Sequence, residues 1–322
     1  MRRPTLNPEN LPSHTSLKSL EDAVAKHASG RFHLDLGFIP SAGRPDVLKA
    51  IAASPALANV AALAITHSKI DVKELKVVFA SRHLTAVRAL DLQGSYFHDP
   101  GTKLISRWEP LTQVTHLSLH GVAVGPLGVK ELAASTLTER LVHLDLGSNN
   151  IKGAGIAALA ESPLAERLTY WDASYNPFGN IGVKAIAASP LMRSSKRIGF
   201  FYVGMTAPGL KALLASPDIK HIEDLDLSGN HDLGDAGLGL LASAKQLAGL
   251  RRLDIRGTGM TDAGARTLAG AASLAGLEEL RFANTLLTTA GIDAFRTSPI
   301  VGAAARAGLE ADARDEAERK KG

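Results

Sequence analysis

A frame that returns every 27 residues constrains this 322-residue chain more than any other feature. Written from Leu141, it reads Leu141-x-x-Leu144-x-Leu146-x-x-Asn149-x-Ile151. Further copies start at Val60, Val87, Val114, Leu168, Ser195, Ile222, Leu250 and Leu277, each step being 27 apart from one of 28. An earlier unit, Leu34-Asp35-Leu36, fits with two extra residues after it. A glycine column keeps the same step at Gly101, Gly128, Gly155, Gly182, Gly209, Gly237, Gly264 and Gly291. So does a serine column at Ser54, Ser81, Ser135, Ser162, Ser189, Ser216, Ser243 and Ser298, with proline next at Pro55, Pro163, Pro190, Pro217 and Pro299. Three columns in register over most of a chain mark a stacked repeat.

Each unit reads as strand, turn, helix. The x-Leu-x-Leu-x stretch alternates as a half-buried strand does. The glycine stands where the next segment begins, a place for close packing or for a positive φ. Ile156-Ala157-Ala158-Leu159-Ala160 has helical spacing and small residues, and Ser-Pro ends the helix. One unit cannot bury its own apolar face, so neighbours share a continuous core. Strands about 4.8 Å apart linked to helices that need about 8–10 Å make a curved array.

This pattern, carried by Leu141-x-x-Leu144-x-Leu146-x-x-Asn149-x-Ile151-x-x-x-Gly155 and covering roughly residues 31–300, resembles the leucine-rich repeat of the ribonuclease-inhibitor-like class. The resemblance implies an α/β solenoid of about ten repeats, a horseshoe with a parallel β-sheet on the concave face and α-helices on the convex face. It implies an N-terminal cap over 1–30, a leucine-rich repeat domain over 31–303, and a C-terminal cap with a charged tail over 304–322. Leu17, Leu20 and Val24 have the spacing of a capping helix, and Ala307 and Leu309 resemble a failed last strand. The family's asparagine is kept at Asn149, Asn176 and Asn230 but is Val122, Val203, Thr258 and Thr285 elsewhere. In the family that side chain ties the turn to neighbouring backbone, so looser turns are expected around Val122 and Val203.

Composition narrows the function. With no cysteine, the chain has no disulfide framework, cysteine-ligated zinc, iron–sulfur cluster or thiol nucleophile. The net charge of +4 comes without a basic block of the kind nucleic-acid tails carry, so nucleic acid is an unlikely partner. Met1-Arg2-Arg3-Pro4-Thr5-Leu6 lacks the apolar run of a signal peptide, and no apolar stretch approaches a membrane span. The expectation is a cytoplasmic protein that binds no membrane. Its alanine-rich style is that of a bacterial, high-GC genome.

The concave face can be read from the frame. Between the two core leucines stand Asp35, Ala64, Asp91, Ser118, Asp145, Asp172, Gly199, Asp226, Asp254 and Arg281. The aspartates either fill the pleat or present an acidic stripe to a basic partner. One flanking row runs His116, His143, Tyr170, Arg197, Asp224, Arg252, Glu279, and the other His120, Gly147, Ser174, Phe201, Ser228, Arg256. Tyr175 and Tyr202 lie one step further on. Aromatics beside arginine have the composition of an interface hot spot. The candidate partner-binding residues are therefore His116, His120, His143, Asp145, Tyr170, Asp172, Tyr175, Arg197, Phe201, Tyr202, Asp226 and Arg252. Trp171 occupies a core-leucine slot and is expected inside. His116 and His120 lie roughly 13 Å apart along a strand, too far to share an ion, so no metal site is expected. A pH-sensitive histidine patch is the better reading.

The sequence contains no Gly-x-x-x-x-Gly-Lys-Ser/Thr, His-Glu-x-x-His, Gly-x-Ser-x-Gly or strand-linked Gly-x-Gly-x-x-Gly. The expectation is a non-catalytic protein–protein interaction module, an adaptor or regulator, with no cofactor. The related horseshoe of Ran GTPase-activating protein implies an alternative, regulation of a small GTPase. Glycan or nucleic-acid binding is a further alternative.

Overall fold

The computed structural model describes residues 5–6, 31–37, 39, 41–194, 196–283 and 286–298. The expected capping helix at Leu17–Val24 and the C-terminal cap and tail at 304–322 lie outside them. The chain forms two compact units, Met1–Asn150 with Ser162–Asp172, and Ile151–Glu161 with Ala173–Gly322.

The first unit holds a seven-stranded parallel sheet in chain order: β1 (Thr5–Leu6), β2 (Phe32–Asp35), β3 (Val60–Ala64), β4 (Ala89–Asp91), β5 (His116–Ser118), β6 (His143–Asp145) and β7 (Tyr170–Asp172). The second holds a four-stranded parallel sheet: β8 (Arg197–Gly199), β9 (Asp224–Asp226), β10 (Arg252–Asp254) and β11 (Glu279–Arg281). Strands alternate with helices, as an α/β leucine-rich-repeat solenoid requires. The single sheet expected from the repeat is thus two sheets among the described residues. β1 is a strand that the repeat frame does not contain.

Register follows the frame. Leu90, Leu117, Leu144 and Trp171 stand side by side, as do Ile198, Leu225, Leu253 and Leu280. The leucines and Ile198 are buried. Trp171 is only half-buried, a correction to its expected place inside the core. An indole is larger than a leucine slot, and tryptophan is rarely enclosed completely.

The three columns have separate physical jobs. The column glycines lie in the first turn of helices with no positive φ, so packing rather than backbone freedom selects them. At Gly128, Gly209, Gly264 and Gly291 a Cβ would strike a carboxylate or amide from the preceding helix. Those groups are Asp99, Asn180, Asp235 and Asp262. Each accepts a hydrogen bond from the next helix's entry amide: Gly125 at 2.6 Å, Thr206 at 3.0 Å, Thr261 at 2.8 Å and Thr288 at 2.8 Å. In these four repeats a side chain therefore caps the following helix, and the missing side chain of the column glycine makes room for the cap. The serines stitch the other end. Ser81, Ser135 and Ser298 donate to carbonyls of Ala52, Ser106 and Ala269, one repeat back. After the serine the chain makes a short helical turn, at Pro55–Asn59, Pro163–Arg167 and Pro190–Arg193. Ser-Pro thus opens a turn as well as ending a helix.

The turns at Val122 and Val203, expected to be looser, are tied from the following repeat. Asn149 Oδ1 accepts from the amides of Val122 and Val124 at 3.1 and 3.0 Å. Asn230 Oδ1 accepts from those of Val203 and Met205 at 3.2 and 2.9 Å. The asparagine ties its own turn through Nδ2 and the preceding one through Oδ1, so a turn with valine in the slot lacks the first tie and receives the second from the next repeat.

Candidate functional site

The aspartates between the core leucines are first of all turn-closing residues. Asp35, Asp91, Asp145, Asp226 and Asp254 each accept the amide two residues on, at 2.8, 3.0, 2.8, 2.9 and 3.1 Å. Such Asx turns end these five strands, which explains the recurrence of Leu-Asp-Leu without reference to a partner.

In the first unit, in-register pairing sets His116, His143 and Tyr170 in a row. The His116 and His143 rings stack at 5.1 Å between centroids, and His143 and Tyr170 at 4.1 Å with 14° between planes. His120 Nδ1 lies 3.4 Å from Asp145 Oδ1, and Asp172 stands beside Asp145 on the next strand. Burial, and then the neighbouring His116, hold the His143 imidazole below the ordinary histidine value, against the opposing pull of Asp145. The unfolded chain thus takes up this proton at a higher pH than the folded chain does. The neutral ring's contribution to stability is complete above about pH 6.5. It is lost as pH falls from there through the folded value. Between about pH 7.5 and pH 5.5, the thermal midpoint of the wild type should fall further than that of His143→Phe, which keeps a ring in the stack. Equal falls would place the acid sensitivity elsewhere.

In the second unit, Tyr175, Phe201, Tyr202 and His231 form a continuous aromatic surface. The Tyr175 and Phe201 rings meet edge to face at 4.4 Å, Tyr175 and Tyr202 lie 5.7 Å apart, and Tyr202 and His231 5.9 Å. Tyr175 and Tyr202 are 47% and 51% exposed, far more than packing residues. Both have left-handed backbones, φ 56° and 53°. They share this slot with His67, Gly94, Gly121, Ser148, Gly229 and Gly257, all also at positive φ. A tyrosine there costs about 1–2 kcal/mol that glycine avoids. His231, just after the Asn230 turn, lies outside the repeat rows and was not among the candidates.

Beside this surface, across β8–β11, lies a cleft of about 240 Å³ lined by Arg197, Asp224, Asp226, Arg252, Leu253, Asp254, Glu279 and Arg281. Asp224, which the row contains but the candidate set omits, is the hub. Its carboxylate lies 2.9 Å from Arg252 Nε and 3.6 Å from Arg197 Nε. Among the described residues no group of three His, Asp or Glu side chains is placed to hold a metal ion. No helix among them is long and apolar enough to cross a membrane.

Residues 141–160, 219–242 and 250–269 match the family model described as Leucine Rich repeat. Solved structures that match this chain include the Rad7 and Elc1 complex of yeast (13% identity, TM-score 0.44, 87% of this chain and 74% of that one). The TLR13–ssRNA13 complex matches at 14% identity and TM-score 0.48, over 85% of this chain and 42% of that one. An internalin, inlF, from Listeria monocytogenes matches at 14% identity and TM-score 0.33, over 80% and 93%. The chain thus spans less than half the length of the TLR13 chain. No curated protein sequence matches it.

Proposed function

Because this chain is a leucine-rich-repeat protein, we propose that it is a non-catalytic interaction module, an adaptor or regulator that grips a partner protein with the strand faces of its repeats. Leucine-rich repeats generally serve protein–protein interaction. In the second unit Tyr175, Phe201 and Tyr202 are the anchors, with Arg197, Asp226 and Arg252 beside them. In the first unit His116, His120, His143, Asp145, Tyr170 and Asp172 form the contact patch.

One observation carries this reading. Two consecutive repeats place exposed tyrosines where the backbone favours glycine, and four other repeats have glycine there. Strain kept at an exposed aromatic is characteristic of binding surfaces. Tyr175→Gly and Tyr202→Gly should keep stability within about 1 kcal/mol of wild type, because relieved strain offsets the lost ring contacts. Tyr202→Ala keeps the left-handed strain, loses the ring and should be less stable than Tyr202→Gly. Affinity capture from native lysate with mass spectrometry checks the functional half. A partner held by the wild type should be lost by the folded double glycine variant. Retention of that partner would move the contact away from these tyrosines.

A further inference from the structure

The carboxylates of the second unit's cleft are paired, with one exception. Asp224 serves Arg197 and Arg252, Asp254 takes Arg256 on both oxygens, and Glu279 takes Arg281. Asp226 is in no ion pair among the described residues. Its carboxylate instead accepts the amide and hydroxyl of Ser228. Burial pushes it above the usual carboxylate range and the nearby Asp254 adds to this, while the Ser228 bonds and, more weakly, the charge of Arg256 oppose it. A half-buried carboxylate with no cation in direct contact has lost hydration and gained little in return.

Next to it the surface has a gap. Asp226 pairs in register with Gly199 on β8. Gly199 has no positive φ, and a Cβ placed on it meets nothing nearer than Ser174 Oγ at 4.0 Å. Backbone conformation and crowding therefore leave this position free to carry a side chain. Arg197 precedes the gap by two residues on the same strand, and Phe201 follows it by two at the edge of the aromatic surface.

We propose that the gap at Gly199 receives a lysine or arginine side chain of the partner protein, whose cationic head pairs with Asp226 while its stem lies against Phe201. This deepens the reading above and rests on it. The incoming cation supplies the counter-ion that every neighbouring carboxylate already has. The aliphatic stem of lysine or arginine suits an aromatic wall, and its charge suits the ring face. An acidic partner residue would meet Asp226 and Asp254 with like charge.

Selection of a displayed random linear peptide library on the intact chain tests this. Asp226→Asn keeps the shape and the Ser228 amide bond but removes the charge. Gly199→Leu fills the gap and leaves the charge. Wild type should enrich peptides containing lysine or arginine, and synthetic copies should bind either variant about tenfold more weakly or less. Circular dichroism establishes that both variants fold. Enrichment of acidic or uncharged peptides overturns the inference while sparing the interaction module. Basic peptides that bind both variants as well as wild type also overturn it. If no peptide is enriched, the inference falls, and if the Tyr175→Gly/Tyr202→Gly variant still captures the lysate partner, the aromatic reading falls separately.

Discussion

Asn230→Ala should lower the unfolding free energy by about 3–5 kcal/mol, which is large for one polar residue. Asn230 is 1% exposed and makes five hydrogen bonds to backbone. Its Oδ1 accepts from the Val203 and Met205 amides, and its Nδ2 donates to the carbonyls of Phe200, Leu227 and Ser228. Alanine would strand these groups where water does not reach, at about 1–3 kcal/mol for each buried group left unsatisfied. Thr258 fills the same slot one repeat later and makes a single bond, to the Ile255 carbonyl of its own turn. Thr258→Ala should therefore cost only about 1 kcal/mol. Denaturant titration of both variants checks the contrast. Equal losses would mean that the asparagine's ties to the preceding repeat contribute little.

That contrast also shows what periodicity can and cannot reveal. The 27-residue step displayed the asparagine slot, and the alternation of leucines displayed the strand register, because both are set by burial at fixed intervals. The direction of the asparagine's reach was hidden. A column says that a residue recurs, not that it ties the turn before it as well as its own, so the support that Val122 and Val203 receive from the next repeat could not be read from their own slots. The capping role of Asp99, Asn180, Asp235 and Asp262 was hidden for the same reason. Their partners lie 26 residues away, and their visible trace was the glycine column that makes room for them.

The candidate site was legible row by row. The stacking of His116, His143 and Tyr170 follows from equal spacing in a parallel sheet. The grouping of Tyr175, Phe201 and Tyr202 was likewise visible as aromatics at neighbouring positions of adjacent repeats. The left-handed backbone under the two tyrosines could be suspected from the glycines sharing their slot, but its sign comes only from the structure. Charges were hardest to read. A row of aspartates looks like an acidic stripe until hydrogen bonds are assigned, and then most of its members prove to be holding amides or arginines. Among the described residues of the second unit's cleft, Asp226 is the carboxylate that makes no ion pair, and the glycine on the neighbouring strand makes it reachable.

Gly259→Ala should cost about 3–5 kcal/mol, and comparison with Gly204→Ala separates the two causes. Both glycines lie in the second unit with similar left-handed backbones, φ 72° and 74°. At Gly204 a Cβ meets nothing within 4 Å, so alanine there bears only the backbone term, about 1–2 kcal/mol. At Gly259 the Cβ would fall on the carbonyl oxygen of His231, inside van der Waals contact. The nearby Gly234 amide is tied at 2.8 Å to the Thr258 carbonyl, so the two segments are held together as the methyl group enters. Displacing backbone is costlier than displacing the tip of a side chain, and the excess over Gly204→Ala measures that displacement. Equal losses would show that the segment yields freely. The Gly204→Ala value has a second use. It measures the left-handed penalty in the unit that holds Tyr175 and Tyr202, and so the stability forgone by placing tyrosine where glycine fits. A penalty near zero would remove the physical basis for treating those tyrosines as selected for contact, whereas about 1 kcal/mol or more at each position would need a function to maintain it.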